Sequence, residues 1–379
     1  MLFNKYIILN KYKKSSILAL FYYNIVMKIL VGVSGGVDSA CALHMLKTKD
    51  HDVIGVMMKI YDGEVKTLAN SCYGTDKKKE IQDAKNNCNF VDCKFHLIDL
   101  TKEYNEIVFE KFKNQYLNGL TPNPCVICNK YIKFGLLPKM ARQNGIDFDK
   151  FATGHYARNE FNDKTGRWEL KRGINPKKDQ SYFLYKLSQD ELKNILFPLG
   201  NMLKEDVRKY ALQNNIPSAT KQDSQDFYKG NYSELFDVSS KKGEIKDVFG
   251  NVLGFHEGIF NYTIGQRKGL CIAYKEPLYV LDIDKSTNSV IVGIKSQTYS
   301  KGLVARDFNW LSITNPQKPF QAKAKIRSAS EPQEVVVYPE IDEVKIEFKE
   351  KISSIAPAQA VVLYDEDRVL GGGTIVSRF

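Results

Sequence analysis

Apolar positions in the first half of the chain fall in short continuous runs rather than in alternation. Lys28-Ile29-Leu30-Val31-Gly32-Val33, Val53-Ile54-Gly55-Val56-Met57-Met58, Phe95-His96-Leu97-Ile98-Asp99-Leu100 and Phe151-Ala152-Thr153-Gly154 are such runs. Runs this short suit strands of a parallel sheet that is buried on both faces. Between them, residues 78–88 and 107–116 read as helices. Strand and helix patterns alternate over residues 27–215, which predicts a doubly wound parallel α/β domain with its ligands at the carboxyl ends of the strands. From about residue 240 the texture changes to short strands with turn signals between them, such as Tyr279-Val280-Leu281-Asp282-Ile283, Ser289-Val290-Ile291-Val292-Gly293 and Val344-Lys345-Ile346-Glu347-Phe348. This predicts a small linking domain over residues 216–285 and a C-terminal β-barrel over residues 286–379.

The first strand runs straight into Ser34-Gly35-Gly36-Val37-Asp38-Ser39, and an apolar-faced helix with Ala40, Leu43 and Leu46 follows at once. Two adjacent glycines permit backbone turns closed to other residues. Two hydroxyls and the free N–H groups of a helix N-terminus complete an anion cradle of the kind that holds a pyrophosphate. No Gly-Lys-Ser/Thr ends the run, so it is not a Walker loop, and no Gly-x-Gly-x-x-Gly makes it a dinucleotide fingerprint. The plain alternative is a glycine-rich turn between a strand and a helix. The run resembles the signature loop of the ATP pyrophosphatases, and that resemblance implies cleavage of ATP between its α- and β-phosphates.

Composition adds a partner. The 379 residues carry 55 basic against 44 acidic side chains, a net charge of +11 with the histidines neutral. That excess favours a polyanion such as nucleic acid, although a lysine-rich solvated surface would also produce it. The seven cysteines are scattered, which reads as cytoplasmic thiols rather than a disulfide framework. No stretch reaches the roughly 20 apolar residues of a membrane helix, so no membrane partner is expected. Residues 1–26 combine Lys11-Tyr12-Lys13-Lys14 with an apolar run and no small-residue cleavage site, and read as a leader or an upstream start codon.

The second chemical signal is Thr121-Pro122-Asn123-Pro124-Cys125-Val126-Ile127-Cys128-Asn129-Lys130. Its prolines and asparagines predict an ordered, non-helical loop that exposes a cysteine. Lys130 and Lys133 would favour the reactive thiolate. A Cys-x-x-Cys pair fits half a zinc site, a redox pair, iron–sulfur ligands, or a nucleophile with a helper, and no second cluster with zinc spacing accompanies it.

Taken with Ala152-Thr153-Gly154-His155-Tyr156, Lys178-Asp179-Gln180-Ser181-Tyr182-Phe183, Asp223-Ser224-Gln225-Asp226 and Tyr262-Thr263-Ile264-Gly265-Gln266-Arg267-Lys268-Gly269-Leu270, these two motifs make the chain similar to the bacterial tRNA-specific 2-thiouridylases. The resemblance runs from Met27 almost to the C-terminus. It implies a nucleotide-binding first domain in which Gly32, Val33, Ser34, Gly35, Gly36, Val37, Asp38, Ser39, Met58 and Gly154 bind ATP with Mg²⁺. It implies that ATP adenylates the C2 oxygen of the wobble uridine in tRNAs for Lys, Glu and Gln, and that a cysteine persulfide, charged by an upstream sulfur carrier, then delivers sulfur. Cys128 matches the family's first cysteine, with Cys125 as its nearest helper. Asn123, Pro124, His155, Lys178, Asp179, Gln180, Arg327 and Gln359 fall at positions implied to contact tRNA.

One departure stands out. The family's second cysteine follows Ser-Gln-Glu-Ile, whereas Tyr228 follows Ser224-Gln225-Asp226-Phe227 here. Tyrosine carries no sulfur, so two routes remain open. Cys125 and Cys128 would form a persulfide and resolving pair that closes a disulfide after transfer. Alternatively, Cys72, Cys125 and Cys128 would hold an iron–sulfur cluster whose open iron carries sulfide. The alternative functions are a nucleotide-gated tRNA-binding protein with a decayed sulfur relay, and another synthetase of the ATP pyrophosphatase class.

Overall fold

The computed structural model describes residues 26–61, 77–222, 236 and 239–379. The chain begins with β1 (Lys28–Gly32), α1 (Val37–Lys47), β2 (Asp52–Lys59), α2 (Lys77–Phe90) and β3 (Phe95–Asp99). Two long helical stretches follow, α3 over residues 101–117 and α4 over residues 124–143, and each contains a π-helical segment. Next come β4 (Lys150–Thr153), the hairpin β5 (Ala157–Asn162) and β6 (Arg167–Arg172), α5 (Gln189–Asn194), the two-residue β7 (Ile195–Leu196) and α6 (Lys204–Gln213).

Strands β3-β2-β1-β4-β7 form one parallel sheet in that order. The continuous apolar runs are explained by burial on both faces. Ile29 and Val31 point into a core with Leu43 and Leu46 of α1 and Ala84 and Cys88 of α2, while Leu30 points into a second core with residues of α3 and α4. The chain leaves β1 toward β2 on one side and returns to β4 on the other. The strand order therefore reverses between β1 and β4, the place where open α/β sheets bind ligands.

A four-stranded sheet, β10-β11-β8-β9, is built from β8 (Gly243–Lys246), β9 (Val252–His256), β10 (Leu278–Asp284) and β11 (Ser289–Ile294), around Ile245, Val280, Val290 and Val292. The C-terminal strands are β12 (Tyr299–Trp310), β13 (Phe320–Lys325), β14 (Gln333–Pro339), β15 (Val344–Ser353), β16 (Ala360–Asp365) and β17 (Arg368–Arg378). They pair in the order β12-β15-β14-β13-β16-β17, and β17 pairs back onto β12, closing a barrel. The predicted fold class, a doubly wound α/β domain followed by a small β domain and a barrel, is the one observed.

One connection exceeds that expectation. β6 of the first domain pairs with β17 of the barrel, so the β5–β6 hairpin extends the barrel's sheet. The core follows suit: Tyr182, Tyr185 and Leu170 share one apolar cluster with Ala360, Val362, Tyr364 and Val369. Among the described residues, no helix is long and apolar enough to cross a membrane.

Candidate functional site

The chain leaves β1 at Gly32 and turns into α1 through the loop read as an anion cradle. Gly35 sits at φ +73°, and a Cβ there would lie 2.8 Å from the Glu80 carbonyl oxygen, so only glycine fits. The Ser39 hydroxyl accepts from the Ser34 N–H at 3.1 Å and donates to the Gly36 carbonyl at 3.1 Å, with the Ser34 hydroxyl 3.3 Å away. The loop is held closed by its own hydroxyls. Gly36 caps α1 without a side chain, which leaves the first-turn N–H groups facing out of the helix end. Val33 and Val37 are buried beneath the loop and anchor it.

Two lysines converge on this loop from distant sequence. Asp38 Oδ1 accepts from Lys204 Nζ at 2.6 Å and from the Tyr156 hydroxyl at 2.8 Å. Lys221 Nζ donates to the Gly35 carbonyl at 3.3 Å and to Asp83 Oδ2 at 2.7 Å. Sequence reading missed both, since neither belongs to a recognisable motif. One signal was available: Lys204 opens α6, where the helix dipole disfavours a cation, so its charge needs another reason to be there.

Gly154 follows β4 and abuts the cradle. A Cβ at that position would lie 2.8 Å from the Asp38 carbonyl carbon and 2.9 Å from the Ser39 nitrogen. The next residue, His155, is buried, with Nδ1 2.8 Å from the Thr153 hydroxyl and its ring 5.5 Å from Phe134 and 6.2 Å from Phe197. Burial, and secondarily the charge of Lys133, holds its pKa well below the usual histidine value, so the ring is neutral. Phe134 lies on α4. A continuous chain of contacts thus runs from Asp38 through Gly154 and His155 to the cysteine-bearing helix. Met58 is half-buried near the carboxyl end of β2, opposite Ile98.

Cys125 and Cys128 occupy a helix, not the non-helical loop their surroundings suggested. Pro124 takes the first helical position, where its missing N–H costs nothing, and Val126, Ile132 and Phe134 bury the inner face. Helical geometry then sets the two half-buried cysteines three residues apart, on one side of the helix near its N-terminus. Both are thiols, as are Cys41, Cys88, Cys93 and Cys271. Lys130, expected to support a thiolate, instead places Nζ 2.7 Å from Glu191 Oε2. That carboxylate also accepts from the Ser188 N–H in the capping box of α5.

The segment 178–183 ties this helix to the rest of the molecule. Asp179, its side chain fully buried, accepts from Arg172 Nε at 2.9 Å and from the backbone N–H groups of Gly173 and Ser181. Gln180 exchanges hydrogen bonds with the Tyr156 backbone in both directions, 2.9 Å each. The Tyr182 hydroxyl donates to the Ala360 carbonyl at 2.8 Å. The Phe183 carbonyl accepts from Asn129 Nδ2 at 3.3 Å. Lys178 is half-buried at the edge of this cluster.

Gln359 belongs to the same assembly. Its Nε2 donates to the Pro122 carbonyl at 3.4 Å, and the Thr121 N–H donates to the Pro357 carbonyl at 3.2 Å. Arg327 donates to the Ile264 carbonyl at 3.4 Å, and its charge acts on the Tyr182 hydroxyl. The structure therefore gathers Asn123, Pro124, Asp179, Gln180, Arg327 and Gln359 around Tyr182. The polar groups of Asp179, Gln180 and Gln359 meet partners within the chain, and His155 is enclosed. Asn129 Oδ1 and the Thr121 hydroxyl are buried with no hydrogen-bond partner among the described residues.

Cys72 and Tyr228 lie outside the described residues. Among the described residues, no three His, Cys, Asp or Glu side chains group as metal ligands.

The family described as tRNA methyl transferase HUP domain matches residues 27–228, the tRNA methyl transferase PRC-barrel domain matches residues 237–294, and the aminomethyltransferase beta-barrel domain matches residues 300–375. The chain is 44% identical over 357 residues to the tRNA-specific 2-thiouridylase MnmA of Endomicrobium trichonymphae, covering 92% of this chain and 99% of that protein. It is 41% identical over 359 residues to tRNA-specific 2-thiouridylase MnmA 2 of Thermoanaerobacter sp. (strain X514), covering 92% and 97%. It is 40% identical over 357 residues to the corresponding protein of Clostridioides difficile (strain 630), covering 92% and 98%.

Proposed function

The chain belongs to the tRNA-specific 2-thiouridylase family, and from that membership we infer that it is an enzyme that replaces the C2 oxygen of a tRNA uridine with sulfur. The wobble uridine of tRNAs for Lys, Glu and Gln is the proposed target, and an upstream persulfide carrier the proposed source of sulfur. The observation that carries the chemical reading is the path of contacts linking the cradle loop, through Gly154 and His155, to the helix that bears Cys125 and Cys128.

In this reading ATP sits at the switch point between β1 and β4, with Gly32–Ser39, Met58 and Gly154 around it. Ser34, Gly35 and Gly36 offer hydroxyl and N–H donors to the phosphates. The set of one carboxylate and two hydroxyls suits a hard cation, so Mg²⁺ accompanying ATP would be held near Asp38, Ser34 and Ser39 and would neutralise phosphate charge. Lys204 sits beneath the same loop and adds fixed positive charge where pyrophosphate departs.

The uridine C2 oxygen attacks the α-phosphorus and pyrophosphate leaves, which turns a poor leaving group into AMP. The terminal sulfur of a persulfide on Cys128 forms the C2–S bond, and the C2–O bond to AMP breaks. The Cys125 thiolate then attacks the Cys128 sulfur and the S–S bond to the transferred sulfur breaks. Thiouridine and a Cys125–Cys128 disulfide remain, and an external thiol must reduce that disulfide. Cβ atoms three apart on a helix are about 5–6 Å from each other, against about 3.8 Å in a disulfide, so closure needs only a small shift of the helix's first turns. The cluster route needs Cys72 as a third ligand. Iron content and visible charge-transfer absorption of anaerobically purified protein separate it from the pair, as does Cys72→Ala.

The test is nucleoside mass spectrometry of tRNA incubated with the protein, ATP-Mg²⁺ and a persulfide donor. Cys128→Ser is expected to abolish 2-thiouridine while uridine-dependent pyrophosphate release continues, because the thiol acts only after adenylation. Loss of both together would assign Cys128 to nucleotide binding or to the helix instead. Wild-type protein that releases pyrophosphate without incorporating sulfur would support the decayed-relay reading drawn from Tyr228.

A further inference from the structure

The tyrosine in the segment 178–183 occupies an unusual position. Tyr182 is fully buried, and its hydroxyl ties the turn 181–183 to the barrel by donating to the Ala360 carbonyl at 2.8 Å. Asn123 is the residue at the N-cap of α4 and spends no side-chain hydrogen bond on capping the helix. Six residues on, Asn129 is latched to the Phe183 carbonyl. The turn 181–183 therefore grips α4 immediately after Cys128.

The same turn is fixed to the barrel. Besides the Tyr182–Ala360 bond, the Ser181 and Tyr364 hydroxyls lie 3.4 Å apart. A second barrel contact reaches the cysteine segment directly, through Gln359 Nε2 on the Pro122 carbonyl and the Thr121 N–H on the Pro357 carbonyl. The residues before the cysteines are thus held by 357–359, and the residue after them by 181–183. Burial keeps the Tyr182 phenol protonated, so it remains a donor across the working pH range.

We propose that Tyr182 is a positioning residue for sulfur transfer: through its bond to the Ala360 carbonyl it fixes the turn whose Phe183 carbonyl holds Asn129, and with it the approach of Cys128, so that the barrel takes part in placing the nucleophile. The proposal rests on the assignment of Cys128 as nucleophile. It goes further in making the step after adenylation depend on a hydroxyl that touches neither nucleotide nor cysteine. Phenylalanine fills the same volume but leaves the Ala360 carbonyl without its partner. Lost buried hydrogen bonds of this kind correspond to about a tenfold effect when they act on the reacting geometry.

The full-length chain bearing Tyr182→Phe tests this with three measurements: thiolation against pyrophosphate release, the pH profile of iodoacetamide alkylation at Cys128 followed by peptide mass spectrometry, and the melting temperature. The expected result is thiolation down about tenfold, pyrophosphate release within about twofold, and an altered rate or midpoint of Cys128 alkylation. Gln359→Met removes the parallel bond to the Pro122 carbonyl and is expected to shift alkylation in the same sense. Should Tyr182→Phe fold poorly, Gln359→Met carries the test alone. An unchanged alkylation profile in the folded variants overturns the proposal, and so does an equal loss of thiolation, pyrophosphate release and melting temperature. Alkylation needs no turnover, so it reports on this proposal even if the chain proves not to thiolate tRNA.

Discussion

At the scale of single residues, the cradle shows how local and non-local signals divide. Gly35, Ser34 and Ser39 were legible because each does something only its residue type can do at that point of a strand-to-helix turn. Lys204 and Lys221 were not, because tertiary folding alone brings them to the loop. Lys204 leads to a clear expectation. Lys204→Met deprives Asp38 of a charged donor at 2.6 Å while filling similar space. Charge-assisted bonds contribute about 1.5–3 kcal/mol, so ATP-dependent pyrophosphate release should fall about 10- to 150-fold. Tyr156→Phe, which removes a neutral donor from the same carboxylate, should cost less. A Lys204→Met enzyme with unchanged rate and ATP affinity but a lower melting temperature would make the lysine purely structural.

His155 provides a second residue-scale test. Its folded pKa is lowered by burial, so the native state stays neutral while the unfolded chain takes up a proton near pH 6.5. Its contribution is therefore intact above that pH and declines as pH falls below it, by at most about 1.4 kcal/mol per pH unit. His155→Gln should flatten the pH dependence of the melting temperature between about pH 7 and about pH 5. An unaltered slope would mean that other groups set the acid limit.

At the scale of elements, the parallel strands were readable because burial on both faces leaves an unbroken apolar run. The cysteine segment was misread because Pro and Asn are turn formers in general but helix starters at particular positions. Pro124 at the first turn, followed by the inward spacing of Val126, Ile132 and Phe134, gives a helix whose entry resembles a loop. The junction of β4 with α1 is where element packing and chemistry meet most tightly. Gly154→Ala would place a methyl group 2.8 Å from the Asp38 backbone. Overpacking of this kind costs about 1–3 kcal/mol, and relief by moving the start of α1 would distort the cradle. Both the melting temperature and ATP use should fall together, measured by thermal unfolding and pyrophosphate release. A fall in stability alone would show that β4 yields rather than the cradle.

At the scale of the whole molecule, the change from alternating helix and strand to all-β texture was evident in sequence, but the way the parts join was not. Closure of β17 on β12, and the pairing of β6 with β17, depend on register between strands far apart in the chain, which no local pattern encodes. Their consequence is a shared core, in which Leu170, Tyr182 and Tyr185 pack with Val362, Tyr364 and Val369. Ion pairs Arg158–Asp367 and Arg368–Glu169 bridge the same junction at its margin. The α/β domain and the barrel should accordingly unfold as one cooperative unit. The two tryptophans report from its two sides, Trp168 in β6 and Trp310 in β12. Tyr364→Ala, at a fully buried position, should destabilise the unit by about 3–5 kcal/mol, as other large-to-small aromatic substitutions do. The loss should appear equally in tryptophan fluorescence, far-ultraviolet circular dichroism and the temperature at which ATP binding is lost. Separate transitions, with the α/β domain keeping its nucleotide affinity after the barrel has melted, would show that the junction is a contact between independent bodies rather than a common core.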